Sequence, residues 1–445
     1  MNIRRVFRLL GLVLFIGPVC AYAQSDPGVR PGAKGAGQPI PGLTTNESAF
    51  FDAGLEDFEE AEGVADGLGP RFNLDGCGGC HLQPDVGGTS PPVNPQVSVA
   101  TAFGARNIVP SFITLNGPVR EARFKRLPGG AADGGVHALY VITGRADSTG
   151  SASGCNAVQE NFSSQVAANN VIFRIPTPVF GLGLMEEITD QTILQNLSAN
   201  GTVKAQRGIS GRVNRNGNDG RITRFGWKAQ NPSGLVFSGE AYNVEMGITN
   251  EGFQTERDET PECQFARLPN DTTNTDGATP LDAISAIEKF AFFMRFLDQP
   301  TPSTNVPGGA NSIVQGRNAF NNIGCSLCHT QTLTTGNATV TALRNKPANL
   351  FSDLALHNMG PGLADDVSQG VARGDEFRTA PLWGLGKRLF FLHDGRTANL
   401  VTAIQAHASN GNGVYPSSEA NSVVGSFNAL SPGTKQDLLN FLRSL

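Results

Sequence analysis

The chain has 445 residues, enough for two or three domains, with 34 Lys and Arg against 39 Asp and Glu and a formal net charge of −5. No block of basic residues stands out, which argues against nucleic acid as a partner. The 54 Gly and 27 Pro point to long ordered loops around short elements, and 27 Phe spread along the chain exclude a disordered polymer.

The chain opens with an export signature. Arg4, Arg5 and Arg8 precede an apolar stretch from Leu9 to Val19, too short to span a bilayer. Ala21-Tyr22-Ala23 fits the small-x-small rule, so residues 1–23 are expected to be a signal peptide cut after Ala23. The alternatives are an uncleaved anchor or a lipoprotein attached through Cys20. With no other long apolar run, a protein that is not membrane-spanning and resides in the periplasm is expected.

Residues 24–47 are rich in Gly, Pro and Thr and read as a flexible lead. A helix follows from about residue 48, with Phe51, Leu55 and Phe58 at helical spacing among acidic residues. It runs into Cys77-Gly78-Gly79-Cys80-His81. Beyond it, Val136–Thr143 and Val171–Ile175 read as short strands, and Gly211–Asn218 as a polar loop. A helix over Leu281–Leu297 leads to a second motif, Cys325-Ser326-Leu327-Cys328-His329. The chain closes on a helix with Ser431 as N-cap, Pro432 at N1, and Leu438, Leu439, Phe441, Leu442 and Leu445 on one face.

C-x-x-C-H is the attachment signature of c-type haem. Two thiols three positions apart reach the two vinyl groups of a porphyrin edge, and the next His becomes the proximal iron ligand. The copies lie 248 residues apart, too far for the two halves of a zinc ribbon. Cofactor attachment is therefore expected at Cys77, Cys80, Cys325 and Cys328, with His81 and His329 on the irons. A helix before the motif packed on a closing helix looks like the class I cytochrome c fold. The fold class expected is mainly α with irregular β insertions, as two cytochrome c-like haem domains. An N-terminal domain covers 48–279 with insertions, and a C-terminal one covers 280–445. Cys155 and Cys263 remain, and an even remainder in an oxidising compartment suggests a disulfide.

The sixth iron ligands come from few candidates. His407 ends an amphipathic helix, Leu400–Ala406, and shares a face with Leu400, Ala403 and Ile404. Met359, in the loop His357-Asn358-Met359-Gly360-Pro361, is the alternative for the second haem. For the first haem only His137 offers itself, so an open iron is the favoured expectation. His393 is expected to hold a haem propionate or to position the domain interface, and Arg396 and Arg378 are candidates for the same part.

These motifs resemble the bacterial di-haem cytochrome c peroxidases. Phe391-Leu392-His393-Asp394-Gly395 is similar to their aromatic-Phe-His-x-Gly segment, and their axial Met fourteen positions on is His407 here. A nearer resemblance is to the di-haem oxidoreductase family, at Arg224-Phe225-Gly226-Trp227-Lys228-Ala229, Met246-Gly247-Ile248-Thr249, the segment 357–364 and the segment 377–386. That resemblance implies two covalently bound haem c groups, with Ca²⁺ as a further cofactor. It implies electrons entering at the second haem from a small cytochrome, a cupredoxin or a quinol-linked donor. They pass to the first haem, where hydrogen peroxide or another small substrate binds. It also implies a distal Glu as acid/base, matched to Glu186 or Glu187, and Trp227 or Trp383 as an electron relay. The rivals are a non-enzymatic di-haem electron carrier and oxygenase-type chemistry on an organic substrate.

Overall fold

The computed structural model describes residues 24–445. The expected signal peptide, 1–23, lies outside the described residues. No helix among them is long and apolar enough to cross a membrane.

The protein is helical with small sheets. A three-stranded antiparallel sheet orders Val136–His137, Glu121–Phe124 and Val171–Arg174, and the other sheets are two-stranded. The stretch Gly211–Asn218, expected as loop, contributes Asn214–Arg215 to a short hairpin with Ile222–Thr223.

Two crossed helix pairs organise the molecule. In the first, Thr45–Glu59 packs on Ala286–Phe296 through Phe51, Phe58, Phe290 and Phe293. Thr44 and Glu47 close a reciprocal capping box that starts the first helix. In the second, Ala310–Ile323 packs on Pro432–Ser444 through Ile313, Phe320, Leu438 and Phe441. Ser431 caps the closing helix, with Pro432 where no N–H is needed. Each pair touches at a glycine, Gly54 in one and Gly316 in the other, where a Cβ would collide with the partner backbone.

The expected helix Leu281–Leu297 breaks at Ile284–Ser285, and its main part, Ala286–Phe296, completes the first pair. Its apolar face buries Ile287, Phe290 and Phe293 in the same core as Phe51 and Phe58.

The lead is corrected as well. Residues 24–47 are not a loose tail but a strap laid over both halves. Asp26 makes a two-pronged ion pair with Arg443, at 2.7 Å for each prong, and accepts from the Leu400 amide. Backbone bonds join Arg30 to Gly386 and Ile40 to Phe296, and Lys34 pairs with Asp85. The structure joins Cys155 to Cys263 across 108 residues. A loop of that size is restrained by about 4–5 kcal/mol in the chain-entropy account.

Candidate haem sites

Each C-x-x-C-H motif follows the first helix of its pair and opens on a cavity. Gly324, at φ 98°, ends the Ala310–Ile323 helix in the left-handed region and turns the chain into Cys325. The second cavity, about 1600 Å³ with its mouth, is lined by Cys325, Cys328, His329, Met359, His393, His407 and apolar side chains. The first, about 1140 Å³, is lined by Cys77, Cys80, His81, and a mixed polar and apolar wall.

The six histidines sort by what holds their ring nitrogens. His81 Nδ1 bonds the Gly88 carbonyl at 3.0 Å, His329 Nδ1 that of Phe351 at 2.9 Å, and His407 Nδ1 that of Ala403 at 2.7 Å. All three thus donate through Nδ1 and leave Nε2 as a bare lone pair, the arrangement of an iron-ligating imidazole. Burial pushes His81 and His329 down to about 4 and lowers His407, so all three are neutral. His137 and His357 differ. Each has both nitrogens tied to carboxylates, His137 to Glu160 and Asp133, His357 to Glu419 and Asp353. His137 also stacks on Phe124 and lies outside the first cavity, so it offers that haem no ligand.

His393 lines the second cavity, stacked on Phe377 at 4.3 Å and edge-on to Trp227 at 6.3 Å. Burial pushes it down to about 4, which keeps it uncharged. The expectation that Arg396 holds a propionate fails. Its guanidinium is turned to solvent, bonded to Asp394 and the Gly362 carbonyl. Arg378 and Arg388 line the cavity instead. Both are buried and pushed down to about 10, by burial and, for Arg378, by Arg388. Neither has a carboxylate partner among the described residues, and Arg388 Nε has no acceptor. Two unpaired buried guanidiniums beside Cys328 and His329 fit the propionates of a haem. Arg388 carried no motif signal in the sequence. In the first cavity Arg120 likewise has no carboxylate partner among the described residues, and its guanidinium bonds the carbonyls of Phe112 and Asp394.

Glu186 and Glu187 are also corrected. Neither lines a cavity. Both pair with Arg295, and Glu186 accepts from the Gly234 amide. Their helix, Leu182–Glu186, turns its apolar face to the core and its carboxylates to the neighbouring helix end. The acids in the first cavity are Glu121, on the three-stranded sheet, and Glu245, on the Gly234–Met246 helix. Asn73 donates to Glu245 at 2.7 Å, and Arg123 pairs with Glu121 at 2.5 Å. Burial and the Glu121 charge push Glu245 well above the carboxylate range. For Glu121 burial acts upward, but Arg123 and the hydrogen bond to Glu245 bring it below its ordinary value. Of the two, Glu245 is the carboxyl on which a proton is favoured. A hint existed in sequence, since Glu245 directly precedes the Met246–Thr249 segment.

Trp227 lines both cavities and donates to the Ile175 carbonyl at 2.9 Å. Trp383 packs in the core against Gly181 and lines neither. For a metal ion, the one cluster of three ligand-type side chains among the described residues is Cys328, Asp353 and His357. Its sulfur and imidazole do not suit Ca²⁺, which wants oxygen ligands.

A family model described as "Di-haem oxidoreductase, putative peroxidase" matches residues 131–445. No curated protein matches the chain. Among solved structures, the chain is similar to hydrazine synthase of Kuenenia stuttgartiensis at 17% identity and a TM-score of 0.24, with 38% of this chain covered. It spans 56% of that chain's length. It is similar to a MauG-like protein associated with microbial copper homeostasis at 18% identity and a TM-score of 0.29, covering 58% of this chain and 89% of the other. The di-haem peroxidase BthA from Burkholderia thailandensis E264 matches at 13% identity and a TM-score of 0.29, covering 61% and 86%.

Proposed function

This chain belongs to the di-haem oxidoreductase family, and from that we propose that it is a periplasmic c-type enzyme that reduces peroxide. The haems supply electron transfer and peroxide reduction, the C-terminal group feeding the N-terminal one. Cys77 and Cys80 hold one, Cys325 and Cys328 the other, in two cytochrome c-like units.

The observation that carries the reading is the asymmetry between the cavities. The second contains two imidazoles, His329 and His407, each tethered through Nδ1 to a backbone carbonyl with Nε2 free to bind iron. A haem held there by both imidazoles would suit electron transfer. Met359 lines the same cavity, but its side chain lacks the backbone tether that orients His407. The first cavity contains one imidazole, His81, together with the buried carboxyl pair Glu121 and Glu245. A haem held there by His81 alone, beside those carboxyls, would suit a small oxygen-bearing substrate.

In this mechanism Glu245 gives its proton to the departing oxygen of peroxide, taking over the role first matched to Glu186 and Glu187. Arg123 and Glu121 then restore it, Glu121 by relaying a proton and Arg123 by holding the ionised partner in place. Trp227, with its indole fixed on Ile175, lies on the route between the sites. Arg120, Arg378 and Arg388 orient the haem carboxylates. Electrons would come from a small cytochrome, a cupredoxin or a quinol-linked donor. Ca²⁺ would need oxygen ligands, and the one three-residue cluster among the described residues is of another kind.

Low-temperature EPR of the oxidised and one-electron-reduced protein tests the asymmetry. A high-spin ferric signal in either state is expected from the first haem. Only low-spin signals in both states would overturn the enzyme reading in favour of an electron carrier. With the enzyme reading standing, Glu245→Gln is expected to slow peroxide turnover by about 10²–10⁴-fold.

A further inference from the structure

Tyr242 and Glu62 form a pair that the haem chemistry above does not use. Tyr242 sits on the Gly234–Met246 helix, 4% exposed, and lines the first cavity with Cys77 and His81. Its hydroxyl donates to Glu62 Oε1 at 2.5 Å, from a residue 180 positions away. Its ring meets Phe290 edge-on at 5.1 Å, which fixes the phenol against the first helix pair.

Glu62 is 8% exposed and carries no ion pair among the described residues. The nearest guanidinium, Arg145, binds Asp75 and Asp147, and gives Glu62 only a bond to its backbone carbonyl. Its surroundings are acidic instead. Burial, with Glu60, Asp66 and Asp57 adding to it, pushes the carboxyl up to about 7. Burying a carboxyl without a cation is costly, and a purely structural site would be served by an apolar side chain. The other fully buried tyrosine shows the contrast. Tyr140 donates to the Gln96 backbone carbonyl at 2.6 Å, an acceptor that cannot take up a proton. Glu62 can.

We propose that Tyr242 is a redox-active tyrosine that gives one electron to the first haem site, with Glu62 as its proton acceptor. The proposal rests on the peroxide reading. Reduction of H₂O₂ to two waters takes two electrons and two protons, and both protons come from solvent by way of Glu245. One electron comes from the second haem and one from Tyr242. As the phenol loses its electron, its O–H bond breaks and the proton passes to Glu62 Oε1, turning carboxylate into carboxylic acid. A later electron from the second haem reduces the phenoxyl, and Glu62 returns the proton. Tyr242 thus holds the second oxidising equivalent in the protein until the donor delivers again.

The test is freeze-quench EPR of the di-haem protein mixed with hydrogen peroxide, read beside the Soret band. An organic radical is expected, with its lines narrowed when the protein is made with ring-deuterated tyrosine. This isotope arm needs no variant. Tyr242→Phe, loaded with two haems per chain, is expected to lose the signal. Glu62→Gln keeps the phenol and is expected to cut the radical yield by about tenfold or more. A Soret response without a tyrosyl signal overturns the inference and leaves the peroxide reading standing. So does a radical that persists in Tyr242→Phe, or an undiminished yield in Glu62→Gln. No Soret response at all overturns the peroxide reading, and the inference falls with it.

Discussion

Gly316→Ala should destabilise the C-terminal helix pair although alanine is the better helix former. Gly316 lies where Ala310–Ile323 crosses Pro432–Ser444. An added methyl would stand 2.6 Å from Phe441 Cβ and nearer still to the Asp437 carbonyl, when ordinary contact begins at 3.4 Å. The obstacle is backbone, so no rotamer change relieves it. The helices must part by about an ångström, and overpacking of this kind costs about 1–3 kcal/mol. The upper end applies, because Phe320, Phe351 and Phe441 are in mutual edge contact at the same crossing. Alanine's helix preference returns about 0.5–1 kcal/mol. The net loss is about 2 kcal/mol, or about 4–8 °C for a domain of this size. A thermal melt followed at the Soret band reads it, with Gly425→Ala as the control. Gly425 is helical, and a methyl there meets nothing within 4 Å, so that variant should be slightly more stable than wild type. A Gly316→Ala protein as stable as Gly425→Ala would refute the crossing argument.

Other outcomes follow from the same structure. Asp26→Ala leaves Arg443 buried without its partner and is expected to cost about 3–5 kcal/mol in urea denaturation; a surface-like loss below 1 kcal/mol would show that the strap is not docked. His407→Met should raise the second haem potential by on the order of 100 mV in a spectroelectrochemical titration, since Met/His ligation favours the reduced iron. An unchanged potential and spectrum would point to Met359 as the ligand. Glu62 binds its proton more tightly folded than unfolded, so its stabilising contribution is full below pH 4.5 and is lost as pH rises to about 7. The difference is about 3 kcal/mol. Glu62→Gln should flatten the stability profile across that window, and a profile parallel to wild type would count against the assignment.

Local spacing along the chain determined a large part of this protein. C-x-x-C-H marks where a haem attaches because the thiols and the imidazole must come from one short segment. The amphipathic run before His407 and the Ser431-Pro432 start of the closing helix are equally local signals, and the structure has helices at Leu400–Ala406 and Pro432–Ser444. The family was legible for the same reason, since its motifs are contiguous. Tertiary structure decided what depends on groups far apart in the chain. The partner of the Thr45–Glu59 helix lies more than 200 residues on, and periodicity shows that Ala286–Phe296 has an apolar face without showing which core receives it. The acid of the first cavity is assembled from a strand at Glu121 and a helix at Glu245, each unremarkable alone, whereas Glu186-Glu187 looked apt and spends its charge on Arg295. Residues 24–47 have a linker's composition, yet Asp26 is ordered because a buried Arg443 needs a counter-charge. Burial and charge pairing act through space, so proton affinity and ligand choice emerge only once distant segments share one cavity wall.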